Sequence, residues 1–193
     1  HSNITGCRSR KGGHMYDVVI VSGSPSQFSR SESVLKYIGV ILAERGLSIR
    51  HVSVRDVPAK DLMFGNFNSP AVTDIPEDIH NARGVIVGSP VYKAAYSGVL
   101  KSLFDILPQD VLRDTPVLPI MSGGSISHLL AMEYTLKPLL STLKGVPLKG
   151  VYYLDNQIDK ESTEPILDSA LISRSEKQID YLIDKMNIEQ TYT

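Results

Sequence analysis

The chain predicts an α/β domain built on a doubly wound, five-stranded parallel sheet with helices on both faces. Three observations lead there. Short β-branched runs alternate with stretches of helical apolar spacing along most of the 193 residues. Two of those runs, residues 17–22 and 84–89, are apolar without alternation, as strands covered on both faces are. No internal repeat, linker or low-complexity tract divides the sequence.

Each element has its own justification. The first strand, residues 17–22, runs into Gly23-Ser24-Pro25. Across residues 31–45, Val34, Leu35, Ile38, Ile41 and Leu42 recur at helical spacing, and Gly46 follows as a C-terminal stop. Residues 47–54 alternate apolar and polar side chains, a strand with one partly solvated face. Strand, helix and strand make a right-handed crossover. Residues 55–76 form a long connection rich in Pro and Asn that carries Leu62, Met63, Phe64 and Phe67. Such length points to a function or to packing across a partner, here a neighbouring active site. A short acidic helix over residues 73–81 closes it. Residues 84–89 are the third strand, and residues 97–107 a helix with Leu100, Leu103, Phe104 and Leu107 on one face. Residues 116–122 read as a strand although Pro119 lacks a ladder donor. A helix over residues 125–143, a strand near 148–155 and one or two amphipathic helices over 162–187 complete the pattern.

Composition bounds the class. Residues 1–14 are polar, basic and aperiodic and read as an expression leader before Met15, so the domain is expected to span 15–193. The one cysteine, Cys7, falls in that leader, leaving the domain without a disulfide, thiol nucleophile or cysteine metal site. A formal net charge of -1 without a basic stripe argues against nucleic acid. No apolar run approaches the ~18 residues of a membrane helix, and no secretory segment is visible. A cytoplasmic protein is expected.

In such sheets ligands sit at the carboxyl ends of the strands, so the residues after each strand matter most. After the first come Ser22, Ser24, Ser29, Arg30 and Ser31, a hydroxyl-rich loop feeding a helix N-terminus. Hydroxyls, backbone N–H groups and the helix dipole there suit a phosphate monoester; a plain N-cap by Ser29 or Ser31 is the alternative. After the third come Pro90, Val91, Tyr92 and Lys93, a stiff turn that can support a planar ring or be an ordinary surface loop. After the fourth come Ser122, Gly123 and Gly124, where backbone can approach a ligand closely or simply turn into a helix. The chain lacks a Gly-x-Gly-x-x-Gly turn, a P-loop, a Gly-x-Ser-x-Gly elbow and any metal-spaced cluster, and Glu77 and Asp78 read as a solvated pair. Three binding loops without acid–base machinery suit redox chemistry carried by a flavin.

Three blocks extend this reading. Gly23-Ser-Pro-x-x-x-Ser-Arg-Ser31, then Pro90-Val-Tyr-Lys-Ala-Ala-Tyr-Ser-Gly-Val-Leu-Lys101 with Asp105, then Gly123-Gly124 with His128-Leu-Leu-Ala-x-x-Tyr-x-Leu-Lys-Pro138, resemble the NADPH-dependent FMN reductases. The likeness is strongest to the reductase component of two-component alkanesulfonate monooxygenase systems. It implies a flavodoxin-like fold, FMN and NADPH as cofactors, and hydride transfer to flavin N5 with no catalytic side chain. It implies that Ser24, Ser29, Arg30 and Ser31 hold the FMN phosphate, that Pro90, Val91, Tyr92 and Lys93 line the isoalloxazine, and that Ser122, Gly123 and Gly124 meet its other edge. Relatives carry arginine where this chain has Ser26, which leaves less fixed charge on the phosphate, with Arg30 as the compensating group. The resemblance also implies a homotetramer, a dimer of dimers with the Tyr134 helix and a π-bulge at an interface, and a partner monooxygenase that receives reduced flavin. Pro138 independently predicts a break in that helix. A quinone or azo reductase with tightly held FMN stays open beside the transfer enzyme.

Overall fold

The computed structural model describes residues 16–188. The leader assigned to residues 1–14, and the domain start at Met15, lie outside the described residues. Strand β1 (Val18–Ser22) lies between β2 (Ile49–Ser53), which forms one edge of the sheet, and β3 (Gly84–Pro90), which is central. Beyond β3 lies β4 (Pro116–Gly123), and every pairing is parallel. The order 2-1-3-4-5 is the doubly wound arrangement expected.

The fifth position departs from expectation. Instead of one strand near residues 148–155, two short strands run in series along β4. β5 (Val146–Pro147) pairs with Pro116 and Val117, and β6 (Val151–Leu154) pairs with Ile120 to Gly123. Pro119 explains the interruption. The Leu148 N–H donates to the Val117 carbonyl at 2.8 Å, so the alternate residue Pro119 turns its own edge toward the same neighbour. A proline there has no donor to offer, and the ladder is broken opposite it. Gly150 bridges the gap at φ +81°, where a β-carbon would stand 2.6 Å from the Pro119 carbonyl oxygen.

Alternate residues of the strands divide between two cores. Val19, Val21, Val85, Val87, Val117 and Met121 point to one face, and Val18, Ile20, Ile86, Leu118 and Ile120 to the other. The first face is covered by α2 (Ala59–Met63) through Leu62, α3 (Ile75–Asn81) through Ile75 and Ile79, and α4 (Gly98–Asp105) through Leu100, Leu103 and Phe104. Met132, Leu136 and Leu140 complete that face. The second is covered by α1 (Arg30–Glu44) through Val34, Leu35, Ile38 and Leu42, and by α6 (Ser169–Ile188) through Ile179, Leu182 and Met186. Burial of so many aliphatic side chains, each contributing roughly 1.5–3 kcal/mol, holds the layers together.

Three other expectations change in detail. Residues 55–76 are not bare loop: they contain α2 and short 3₁₀ turns at Val54–Asp56 and Pro70–Val72. Of the one or two helices expected over residues 162–187, the described residues form one, α6, which begins only at Ser169. The helix expected over residues 125–143 is three pieces in sequence: a 3₁₀ turn (Ile126–Leu129), a π-helical turn (Met132–Leu136) and α5 (Lys137–Thr142). The break does fall just ahead of Pro138. That proline stands directly after the π turn, inside a continuing helix, and its missing N–H falls where the ladder changes from π to α.

Candidate active site

Because the strands are parallel, the segments leaving β1, β3, β4 and β6 share one rim of the sheet, at the point where strand order reverses between β1 and β3. Cross-links bind these segments together. The Gly23 N–H donates to the Gly88 carbonyl at 2.7 Å, and the Val91 N–H to the Ser122 carbonyl at 2.8 Å. Ser97 caps α4, accepting from the Leu100 N–H, and donates its hydroxyl to the Gly23 carbonyl at 2.5 Å.

The serine loop gathers its hydroxyls at the start of α1. Ser29 is the N-cap, its Oγ accepting from the Glu32 N–H at 3.2 Å. Ser24 Oγ donates to Ser29 Oγ at 2.6 Å, and Ser31 Oγ lies 3.3 Å from Ser29 Oγ. Ser22, Ser24 and Ser31 are buried and Ser29 half-buried. The N-cap role and a hydroxyl cluster are therefore both present, because the α1 N-terminus needs the first and the tight loop produces the second. Arg30 is half-buried and reaches across the rim, its Nε donating to the Asp155 carbonyl at 2.9 Å.

Beyond Pro90, the chain makes a hairpin-like turn. Tyr92 and Ala95 exchange both backbone hydrogen bonds, at 2.8 and 3.1 Å, around Lys93 and Ala94. Those two residues sit at φ 50° and 65°. A type I′ turn normally carries Asn-Gly there; two residues with β-carbons store strain. The turn lifts Tyr92 and Lys93 to the surface, with Tyr92 47% exposed, while Val91 stays half-buried at its base.

Ser122 and Gly123 are the buried last residues of β4, and Gly124 is exposed just beyond. Tyr152, on β6, donates its hydroxyl to the Ser125 carbonyl at 2.5 Å and closes this corner. Its burial raises the phenol pKa, the nearby Asp155 charge adds to that, and the Ser125 contact opposes it. The side chain therefore stays a neutral donor.

All twelve residues anticipated from the sequence, Ser22, Ser24, Ser29, Arg30, Ser31, Pro90, Val91, Tyr92, Lys93, Ser122, Gly123 and Gly124, lie along this rim. Four further residues were not anticipated. Tyr152 and Asp155 belong to the fifth position; applying the strand-end rule there would have found Asp155, which follows β6 directly, whereas Tyr152 lies inside the strand. Glu32 stands three residues after an N-cap serine, a spacing that reads as a surface capping box. Instead its carboxylate turns inward, accepts from the Ser22 hydroxyl and pairs with Arg55 at 2.9 Å. Only the fold brings Arg55 there, from the turn after β2.

The family described as NADPH-dependent FMN reductase matches residues 16–159. An FMN reductase (NADPH) of Pseudomonas putida is 45% identical over 150 residues, covering 77% of this chain and 76% of that protein. An FMN reductase (NADPH) of Escherichia coli is 43% identical over 142 residues, covering 73% and 74%. Among solved structures, the apo form of an NADH:FMN oxidoreductase (EMOB) superposes with a TM-score of 0.77 at 32% identity, covering 87% of this chain and 88% of the other. The chain belongs to the NADPH-dependent FMN reductase family.

Proposed function

We propose that this chain is an NAD(P)H-dependent FMN reductase of the transfer type, which releases reduced FMN to a partner monooxygenase of sulfonate sulfur scavenging in the cytoplasm. The observation that carries the reading is the serine cluster at the start of α1, on the same rim as the 92–95 turn and the glycine pair. FMN fits the residues present. A monoester suits the hydroxyls of Ser24, Ser29 and Ser31 and the first N–H groups of a 15-residue helix. Gly124 is exposed, and a β-carbon there would meet only the Asp155 carboxylate, at 3.5 Å, so the backbone at that corner is open to a flat ring edge, while Gly123 makes room for the Tyr152 hydroxyl. FMN supplies the hydride-accepting chemistry when bound, and NADPH the hydride.

The chain's own residues bind and orient. Ser22, Ser24, Ser29, Arg30 and Ser31 hold the phosphate end. Pro90, Val91, Tyr92 and Lys93 support the ring, and Ser122, Gly123 and Gly124 meet its polar edge. Release is supported by the small fixed charge at the phosphate end: Arg30 is the one cation in residues 22–31, and its Nε, though not its Nη groups, is already engaged by the Asp155 carbonyl. Tyr134 is 75% exposed on the π-helical turn, beside exposed Ile126, Leu129 and Leu130. That apolar surface supports assembly into a homotetramer, a dimer of dimers.

The test is a titration of the apo-protein with oxidised and reduced FMN, together with NADPH oxidation with and without free FMN. Activity that depends on added FMN is expected. Protein that keeps its flavin through dialysis and reduces quinones or azo dyes without free FMN is instead a prosthetic-group reductase. No FMN binding at micromolar concentration overturns both.

A further inference from the structure

Beneath the serine loop lies a charged pair that no step of flavin reduction requires. Glu32, in the first turn of α1, is 7% exposed. One carboxylate oxygen accepts from the Ser22 hydroxyl, and the other lies 2.9 Å from the Arg55 guanidinium. Arg55 is held in place before any ligand arrives. Its Nε and its backbone N–H both donate to Ser53 Oγ, at 3.0 and 3.1 Å, and Ser53 in turn is fixed by a capping box with Asp56. On the other side, Ser22 Oγ accepts from the Ser24 N–H at 3.3 Å, and Ser24 Oγ belongs to the serine cluster. A continuous path therefore runs from Arg55 through Glu32 and Ser22 to the hydroxyls proposed to hold phosphate. A buried carboxylate at that position opposes a phosphate dianion, and the guanidinium offsets it.

We infer that Glu32 and Arg55 together set how tightly the phosphate end of the flavin is held: the carboxylate keeps the flavin releasable, and the guanidinium keeps it from being expelled. Neither residue touches the ligand; both act through Ser22 and through the local field. The inference rests on the proposed FMN site. It assigns opposite signs to the two residues, which a purely structural role does not.

The experiment compares dissociation constants of the full-length apo-protein for FMN and for riboflavin, which lacks the phosphate. Glu32→Gln leaves Arg55 unopposed and should tighten FMN by about three- to tenfold. Arg55→Ala leaves the carboxylate unopposed and should weaken FMN by about tenfold. The double variant should return to within about threefold of the parent, and Arg55→Lys, which keeps the charge, should do the same. Riboflavin affinity should stay within about twofold throughout. FMN affinity falling in both single variants, or riboflavin following FMN, overturns the inference while the FMN site stands. A parent protein that binds no FMN overturns the site itself and the inference with it. If Arg55→Ala does not fold, as judged by thermal melting, Glu32→Gln and Arg55→Lys decide alone, since both keep the shape of the pair.

Discussion

The Tyr152 hydroxyl, anchored on the Ser125 carbonyl at 2.5 Å, stands 2.6 Å from where a β-carbon on Gly123 would lie. The two residues therefore exclude any larger side chain at the end of β4. Gly123→Ala should push the ring aside, break the Ser125 bond and cost about 1–3 kcal/mol of stability. FMN affinity should fall with it, by about tenfold. Adding Tyr152→Phe removes the clashing oxygen, so thermal melting of the double variant should show part of the loss recovered. A single variant as stable as the parent would mean that the corner is looser than these contacts require.

Ser29 has two duties that one substitution separates. As N-cap it receives the Glu32 N–H, so Ser29→Ala should cost about 1 kcal/mol in chemical denaturation. As a member of the hydroxyl cluster it should also contribute to FMN affinity and not to riboflavin affinity. Equal loss for both ligands would show that only the cap matters.

Ala94 occupies the left-handed region at φ 65° without being glycine. Ala94→Gly should relieve about 1 kcal/mol and raise the melting temperature by about 2–4 °C. If the strain holds the turn in its binding shape, the stabilised variant should bind FMN less tightly, read by the same titration.

Asp61 organises the connection that follows β2. Its carboxylate accepts from the Asn66 amide at 3.0 Å and the Ser69 hydroxyl at 2.7 Å, and the Asn66 contact first, then Ser69, lowers its pKa below the usual aspartate value. A carboxyl with a lower pKa in the folded state stabilises at pH above the unfolded value, about 4, and that contribution disappears as pH falls through the folded value. The parent should therefore lose stability on going from pH 6 toward about pH 3, and Asp61→Asn should lose less over that interval. Hydrogen exchange confined to residues 61–69 should rise in the variant, because the same carboxylate closes that loop.

Much of this architecture was legible in the chain. The runs that became β1 and β3 are continuously apolar because both faces are covered, and continuous runs are hard to mistake when turn residues bound them. The rim loops were legible because parallel strands force their carboxyl ends together. Three things were not. Pro119 marked a difficulty in β4, but its consequence appears on the neighbouring strand, which splits. Apolar spacing from Ser125 to Leu143 does not distinguish 3₁₀, π and α turns when Met132, Leu136 and Leu140 face the core in each case; the π turn at Tyr134 is expected from the family resemblance and the break from Pro138, and the 3₁₀ entry from neither. The inward turn of Glu32 depends on Arg55, 23 positions away in the sequence numbering, and local patterns carry no information about such a partner.

The split fifth strand has an effect beyond the pairing of β4. A sheet's last strand ordinarily presents a row of free amide and carbonyl groups that can recruit a strand from another molecule. Here that border is two residues long, interrupted by Leu148, Lys149 and Gly150, then four residues long. A foreign strand laid along it would meet a kink and a positive charge before completing one repeat of its ladder. Pro119, which looks like a flaw inside a strand, thereby protects this side of the protein against edge-to-edge aggregation.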